Sequence, residues 1–424
     1  MRSVFPTAEY AAYVSAWDGV AAAGMRDLNL DAWAAGRRYL SLARVELSAA
    51  EANELQHLTV AFSALLDVAV ESILSEPAWW SSLAWPWPAI ELARQEPAHP
   101  GRRASLYGRF DCLLDAAGTW QVIEYNADTP SGGREAMGLE PAIARSSAPL
   151  RGLSSGLAHL LVRTLLERIE HHPRPVRCVG IVSSHSWLED MAQATWLGWL
   201  LSRAGQPTLV GDVTDLATRA GRITLRGQQI DALYRFYPIE RLYRHAIFGS
   251  LCEAAIDGDL LVLNGLRAFL AQSKACLAWL WSNRFNLGGS GRETIERHLP
   301  PTFLARDPSA PGWLPHAVVK HVNGREGDSV IFGNALDAAG WEARLIEGGY
   351  VVQQTVASPG LEDVEVDDVQ RRVQRVGPRY ACVGAFSIGG RFGGCYTRLD
   401  GPITSGQATY AATLRQPAAA GRRR

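Results

Sequence analysis

Apolar residues recur at helical spacing through most of residues 8–95, which predicts a mainly helical region there. Within it, Ser48-Ala49-Ala50-Glu51 has the S-x-x-E form of a capping box, and the apolar-periodic segment 52–75 follows directly. Trp79, Trp80, Trp85 and Trp87 come next, interleaved with Pro77, Pro86 and Pro88. Tryptophans so placed are expected to wedge the helical region onto its neighbour. Residues 96–104, rich in Pro, Gly and Arg, read as a connection. From 105 to 127 the pattern turns to strands. Residues 131–171 read as helical, 176–183 as a buried strand, 187–204 as a helix and 208–210 as another strand. That alternation predicts an α/β layer. Residues 223–230 read as a small hairpin, 250–282 as partly helical, and 313–400 as mainly strands turning at glycines.

The segment 106–126 carries the first chemical signal. Leu106 to Leu114 and Trp120 to Asn126 are two strands around a short glycine turn. If Ala117-Gly118 is the centre of a two-residue turn, Asp111 falls opposite Glu124, Arg109 opposite Asn126, and Phe110 opposite Tyr125. Alternation then puts Arg109, Asp111, Glu124 and Asn126 on one face. Two directly opposed carboxylates are destabilising on a sheet. They are tolerable if both are solvated, if one takes a proton, or if a divalent cation sits between them. Asp, Glu and Asn oxygens suit Mg²⁺, and Arg109 beside them can hold a phosphate or a developing oxyanion. A solvated hairpin face explains the pattern equally well, and a one-residue slip would scatter the group.

Composition narrows the rest. The 424 residues exceed one ordinary core, so two or three packed units are expected. A net charge of −1 removes the electrostatic footprint of a nucleic-acid binder, and Arg422-Arg423-Arg424 reads as a solvated end. Six cysteines without a CxxC pair read as small core residues in a reducing compartment. No basic-then-apolar leader and no uncharged apolar stretch of membrane-spanning length appears, which places the chain in the cytoplasm with no membrane partner. Only Lys274 and Lys320 are lysines among 42 Lys and Arg residues. Lysine is a compact point charge and arginine a planar fork, so a chain this biased is expected to keep lysine where an ammonium is wanted. Lys320 enters a strand, loop and strand, Ala317 to Val322, Asn323 to Ser329 and Val330 to Phe332, the form of a flap over nucleotide phosphates. Two surface lysines surviving drift would give the same count.

These residues resemble the synthetase domain of the glutathionylspermidine synthase family. The resemblance begins with Arg109-Phe110-Asp111 and Glu124-Tyr125-Asn126-Ala127-Asp128-Thr129-Pro130-Ser131. It continues in order through Tyr234 to Glu240, Gln272-Ser273-Lys274-Ala275, Val319-Lys320 through Gly327, Tyr350 to Pro359, and Gly394 to Arg398 with Ile403 to Gly406. Coverage is nearly the whole chain, without room for the amidase domain fused to some members. His321 stands where the family has proline, Ile239 where it has an aromatic, and Leu399 where it has glutamate.

The resemblance implies an α/β (α+β) ATP-grasp fold: an N-terminal helical region over 1–100, a preATP-grasp-like domain over 101–250, an ATP-grasp nucleotide-binding domain over 251–415, and a flexible basic tail over 416–424. It implies an ATP- and Mg²⁺-dependent carboxylate–amine ligase working through an acyl phosphate, in a specialised biosynthetic pathway. The alternative is a nucleotide-binding scaffold of the same fold without turnover; a kinase releasing the acyl phosphate is a lesser one. By motif, Asp111, Glu124 and Asn126 would hold Mg²⁺. Lys274, Lys320, Gly324, Arg325, Gly327 and Gln353 would bind ATP. Arg109 and Arg398 would stabilise the acyl phosphate and its tetrahedral successor. Thr129 and Ser131 would lie at the carboxylate substrate, an amino acid or peptide, although helix capping accounts for them as well. Glu189 and Asp190 can bind an amine or polyamine, or simply begin an exposed helix.

Overall fold

The computed structural model describes residues 1–4, 7, 9–28, 33–34, 37–85, 87–96, 103–307, 316–325, 327 and 329–417. Pro86 and most of the expected basic tail, Arg422 to Arg424 included, lie outside them. The fold is built around a nine-stranded sheet that draws on every region of the chain. Its path runs Arg2–Val4, Leu40–Leu47, Thr409–Arg415, Arg391–Asp400, Arg372–Ile388, Tyr107–Leu114 and Trp120–Asn126. Leu40–Leu47 lies inside the segment expected to be mainly helical. It pairs in parallel with Thr409–Arg415, so the sheet crosses the divisions expected near 100 and 250. Seven of its eight residues are buried, leaving no polar face for alternation to reveal.

Helix Ala49–Ser75 packs on this sheet. The capping box forms as expected: Ser48 Oγ accepts from Glu51 N at 3.2 Å, and Glu51 Oε2 accepts from Ser48 N at 2.7 Å. By length and apolar composition the helix would pass for a membrane span. Here its Leu55, Phe62, Leu66, Val70 and Ile73 join the core, each buried side chain contributing about 1.5–3 kcal/mol. Trp85 packs against Phe269 at a tilt, with ring centroids 4.5 Å apart, and so acts as the expected wedge, whereas Trp80 donates to Ile73 O at 2.9 Å within the helical region itself. Trp87 stays 60% exposed. All six cysteines are buried and free.

Two smaller sheets flank the large one. A parallel sheet has the order Leu261–Leu263, Ala232–Arg235, Val179–Ser183, Thr208–Asp212, with helix Leu188–Arg203 crossing between its last two strands. This is the α/β layer that the alternating pattern implied. An antiparallel flap sheet has the order Thr302–Leu304, Tyr350–Gln354, Ala317–His321, Ile331–Phe332. The last third, expected to be mainly strands, also holds helix Ala338–Glu347.

Candidate functional site

The hairpin Tyr107–Leu114 and Trp120–Asn126 has the expected register at its functional end: Arg109 pairs with Asn126, Phe110 with Tyr125, and Asp111 with Glu124. The turn differs from the two-residue form. Asp115 N donates to Thr119 O at 2.9 Å, and Asp115 Oδ1 accepts from Ala117 N and Thr119 N at 2.9 and 2.8 Å. A carboxylate capping its own turn closes a five-residue loop. The one-residue shift this introduces is undone by a bulge, with Cys112 facing Val122 and Ile123 left unpaired. The bulge frees the Ile123 carbonyl, which accepts from Lys320 Nζ at 3.3 Å.

Each of the opposed carboxylates has its own cationic partner. Asp111 Oδ1 accepts from Arg109 Nε at 2.7 Å; Oδ2 accepts from Arg398 Nη2 at 2.7 Å, Arg109 Nη2 at 3.1 Å and Asn126 Nδ2 at 3.1 Å. Burial pushes the Asp111 carboxyl up, but Arg109 and Arg398 pull harder and hold it below the usual range. Glu124 Oε1 accepts from Lys274 Nζ at 3.1 Å. The face is therefore neither a solvated surface nor dependent on a metal for its charge balance.

Lys274 opens helix Lys274–Asn283, where Ser273 is the N-cap. Its Nζ also donates to Gly324 O at 2.8 Å, tying the hairpin to the flap loop. Lys320, on the flap sheet, donates to Gln353 Oε1 at 2.7 Å. Burial pushes its ammonium down to about 8.

The flap loop is latched to the hairpin's exit. Arg325 donates to Glu240 at 2.8 and 3.0 Å, to Asp128 Oδ2 at 2.5 Å and to Thr129 Oγ1 at 3.1 Å. Asp128, fully buried, also binds Arg235. Its own burial pushes the carboxyl up, and the two arginines outweigh that and lower it. Gln272 Oε1 accepts from the amides of Ala127 and Asp128 at 2.9 and 3.0 Å. Gly327 has φ 73° and sits so close to Thr404 that a Cβ would lie 2.5 Å from its carbonyl oxygen. Glu326 and Asp328 of this loop lie outside the described residues.

These parts enclose a cavity of about 400 Å³, in the range of small-molecule sites. Of the sequence-predicted residues, Arg109, Asp111, Glu124, Asn126, Thr129, Ser131, Lys320, Arg325, Gly327, Gln353 and Arg398 line it; Lys274 and Gly324 stand behind Glu124 and the flap. Thr129 and Ser131 do not cap the following helix, whose N-cap is Gly132 without a side-chain bond. Glu189 reaches the cavity wall beside Tyr39 and Tyr396.

Residues 25–414 match the family described as glutathionylspermidine synthase preATP-grasp. The chain belongs to that family. The fold is accordingly mixed α/β of the ATP-grasp class. A glutathione synthetase-like effector from Globodera pallida, solved in apo form, aligns over 96% of this chain and 99% of its own at 10% identity, with a TM-score of 0.61. A putative gamma-glutamylcysteine synthetase from Methylobacillus flagellatus aligns over 84% of this chain and 86% of its own at 10% identity, with a TM-score of 0.43.

Within this glutathionylspermidine synthase-like chain, no cluster of three or more His, Cys, Asp or Glu side chains suited to a metal occurs among the described residues. The candidate Mg²⁺ set is instead two carboxylates and a carboxamide. Asn126 turns its amide nitrogen toward Asp111, leaving its oxygen available, and Glu124 Oε2 carries no bond among the described residues. Hard oxygens of this kind fit Mg²⁺, which takes one or two carboxylates and completes its shell from phosphate and water. Asp111 is the weaker member, because its Oδ2 is already saturated by three donors. Sequence reasoning missed Asp128, Arg235 and Glu240 as a unit. They stood inside the quoted motifs, but nothing local showed that they meet.

Proposed function

We propose that the protein is an ATP- and Mg²⁺-dependent ligase joining a small carboxylic acid to an amine. The observation that carries this is the convergence, on one cavity, of Lys320, Arg109, Arg398 and the Arg325 flap with the oxygen set of Glu124 and Asn126. A carboxylate oxygen of the acid attacks the γ-phosphorus of ATP, the bond to the β-phosphate oxygen breaks, and ADP leaves. The amine nitrogen then attacks the acyl carbon, gives up a proton, and phosphate departs. Such transfers rest on positioning and charge neutralisation. Mg²⁺ held by Glu124 and Asn126, with Asp111 behind them, would screen the phosphate oxygens. Lys320, fixed by Gln353, presents an ammonium to the nucleotide. Asp111 holds the Arg109 and Arg398 guanidinium groups in fixed orientations, so they meet the developing oxyanion without reorganising. Thr129 and Ser131 flank the acid. Glu189, beside Tyr39 and Tyr396, offers the amine a negative wall.

The replacements at His321, Ile239 and Leu399 leave this constellation intact but argue against assuming glutathione and spermidine. The test is ADP release by purified protein with Mg-ATP across a panel of acids and amines that includes both. Release requiring one acid and one amine is the expected result. Release with acid alone would mark an acyl-phosphate-forming kinase, and failure to bind ATP would overturn the proposal.

A further inference from the structure

A second cavity, of about 150 Å³, lies in the parallel-sheet layer and shares no lining residue with the first. Leu233 of strand Ala232–Arg235, Phe248 and Leu251 of helix Phe248–Ile256, and Leu261 make its wall apolar. Its charged lining is Glu96, Arg168 and Arg235, the last bonded to Asp128. Arg168, in the last turn of helix Leu157–Glu170, sits there half-buried, with no hydrogen bond or ion pair among the described residues and with Nη1 closed off from solvent. Glu96, on the same lining, accepts from Arg267 N at 3.4 Å and does not reach Arg168. Burial pushes the Arg168 guanidinium below its ordinary value, and outweighs the opposing pull of the Glu96 carboxylate. A guanidinium cannot give up its proton in a protein, so an anion at the closed-off Nη1, rather than neutralisation, is what would offset its partial desolvation. Apart from Glu96, His171, His172 and Arg235, the side chains lining the cavity are mainly hydrocarbon.

We propose that this cavity is a second binding site, for a short aliphatic carboxylate, with the anion on Arg168 and the chain against Leu233, Phe248 and Leu251. Arg235 closes the same cavity and on its other edge binds Asp128, which also binds Arg325 of the first cavity's wall, so a chain of three side chains runs from one cavity to the other. The proposal stands apart from the ligase assignment, because its test reads binding and not turnover.

Hexanoate is titrated calorimetrically into the full-length protein, with 1-hexanol as the uncharged probe of the same length. Saturable hexanoate binding is expected, at least tenfold tighter than hexanol. It should weaken at least tenfold in Arg168→Met and in Arg168→Gln, and disappear in Leu251→Trp, which fills the cavity. Both Arg168 variants should keep the cooperative urea unfolding of the wild type, followed by tryptophan fluorescence, showing that they fold. No saturable hexanoate binding to the wild type would overturn the site. So would equal affinity for hexanol, or undiminished hexanoate binding by the folded Arg168 variants.

Discussion

Replacing Lys320 by methionine is expected to stabilise the unliganded protein at neutral pH while removing its hold on ATP. Lys320 is 6% exposed, and burial lowers its ammonium from 10.5 to about 8. That difference means the folded state carries a charge it disfavours by about 3 kcal/mol at pH 7. The sign follows from proton counts. Between about 8 and 10.5 the unfolded chain binds the lysine proton and the folded protein does not, so stability rises with pH across that window. Methionine removes the penalty but leaves Gln353 Oε1 and Ile123 O without this donor, at a cost of about 1–2 kcal/mol. The variant should therefore gain about 1–2 kcal/mol at pH 7 and lose about the same above pH 10.5, where the wild-type penalty has vanished. Urea unfolding followed by tryptophan fluorescence at the two pH values reads both numbers. A loss of stability at pH 7 as large as that above pH 10.5 would refute the reasoning and make Lys320 a structural residue.

Three further outcomes are expected. ATP binding should weaken as pH rises through about 8, where unliganded Lys320 loses its proton; Lys320→Arg, which stays charged, should flatten that dependence in a calorimetric titration. Glu124→Gln should leave the fold intact and lower Mg²⁺-dependent ADP release by more than about a hundredfold, the upper end for residues that merely support a metal ligand; near-normal release would remove Glu124 from the metal set. Asp128→Asn leaves Arg235 and Arg325 facing each other across a buried amide, and breaking a buried pair of this kind costs about 3–5 kcal/mol. Its flap loop should also exchange backbone hydrogens faster over 323–329, and unchanged exchange there would show that Arg325 is not what holds it.

Local rules decided a definable part of this protein. The capping box at Ser48 and Glu51 needs only four residues and formed as read. Alternation put Arg109, Asp111, Glu124 and Asn126 on one face, and the register survived a different turn because the bulge at Ile123 restored it. The scarcity of lysine pointed to Lys274 and Lys320, and both meet the hairpin. What lay beyond reach were pairings between distant segments. Leu40–Leu47 becomes a strand because Thr409–Arg415 lies beside it in parallel, and a strand buried on both faces shows no period of two. Asp128 looked like one acidic residue ahead of a helix. Only folding brings Arg235 and Arg325, 107 and 197 residues further along, to its two oxygens. The same holds for Asp111: its sequence neighbourhood suggested repulsion from Glu124, whereas Arg398, 287 residues away, helps neutralise it. Charge on a strand face is legible from alternation. Its compensation is set by whichever partners the tertiary fold supplies, since Coulomb energy depends on distance in space and not along the chain.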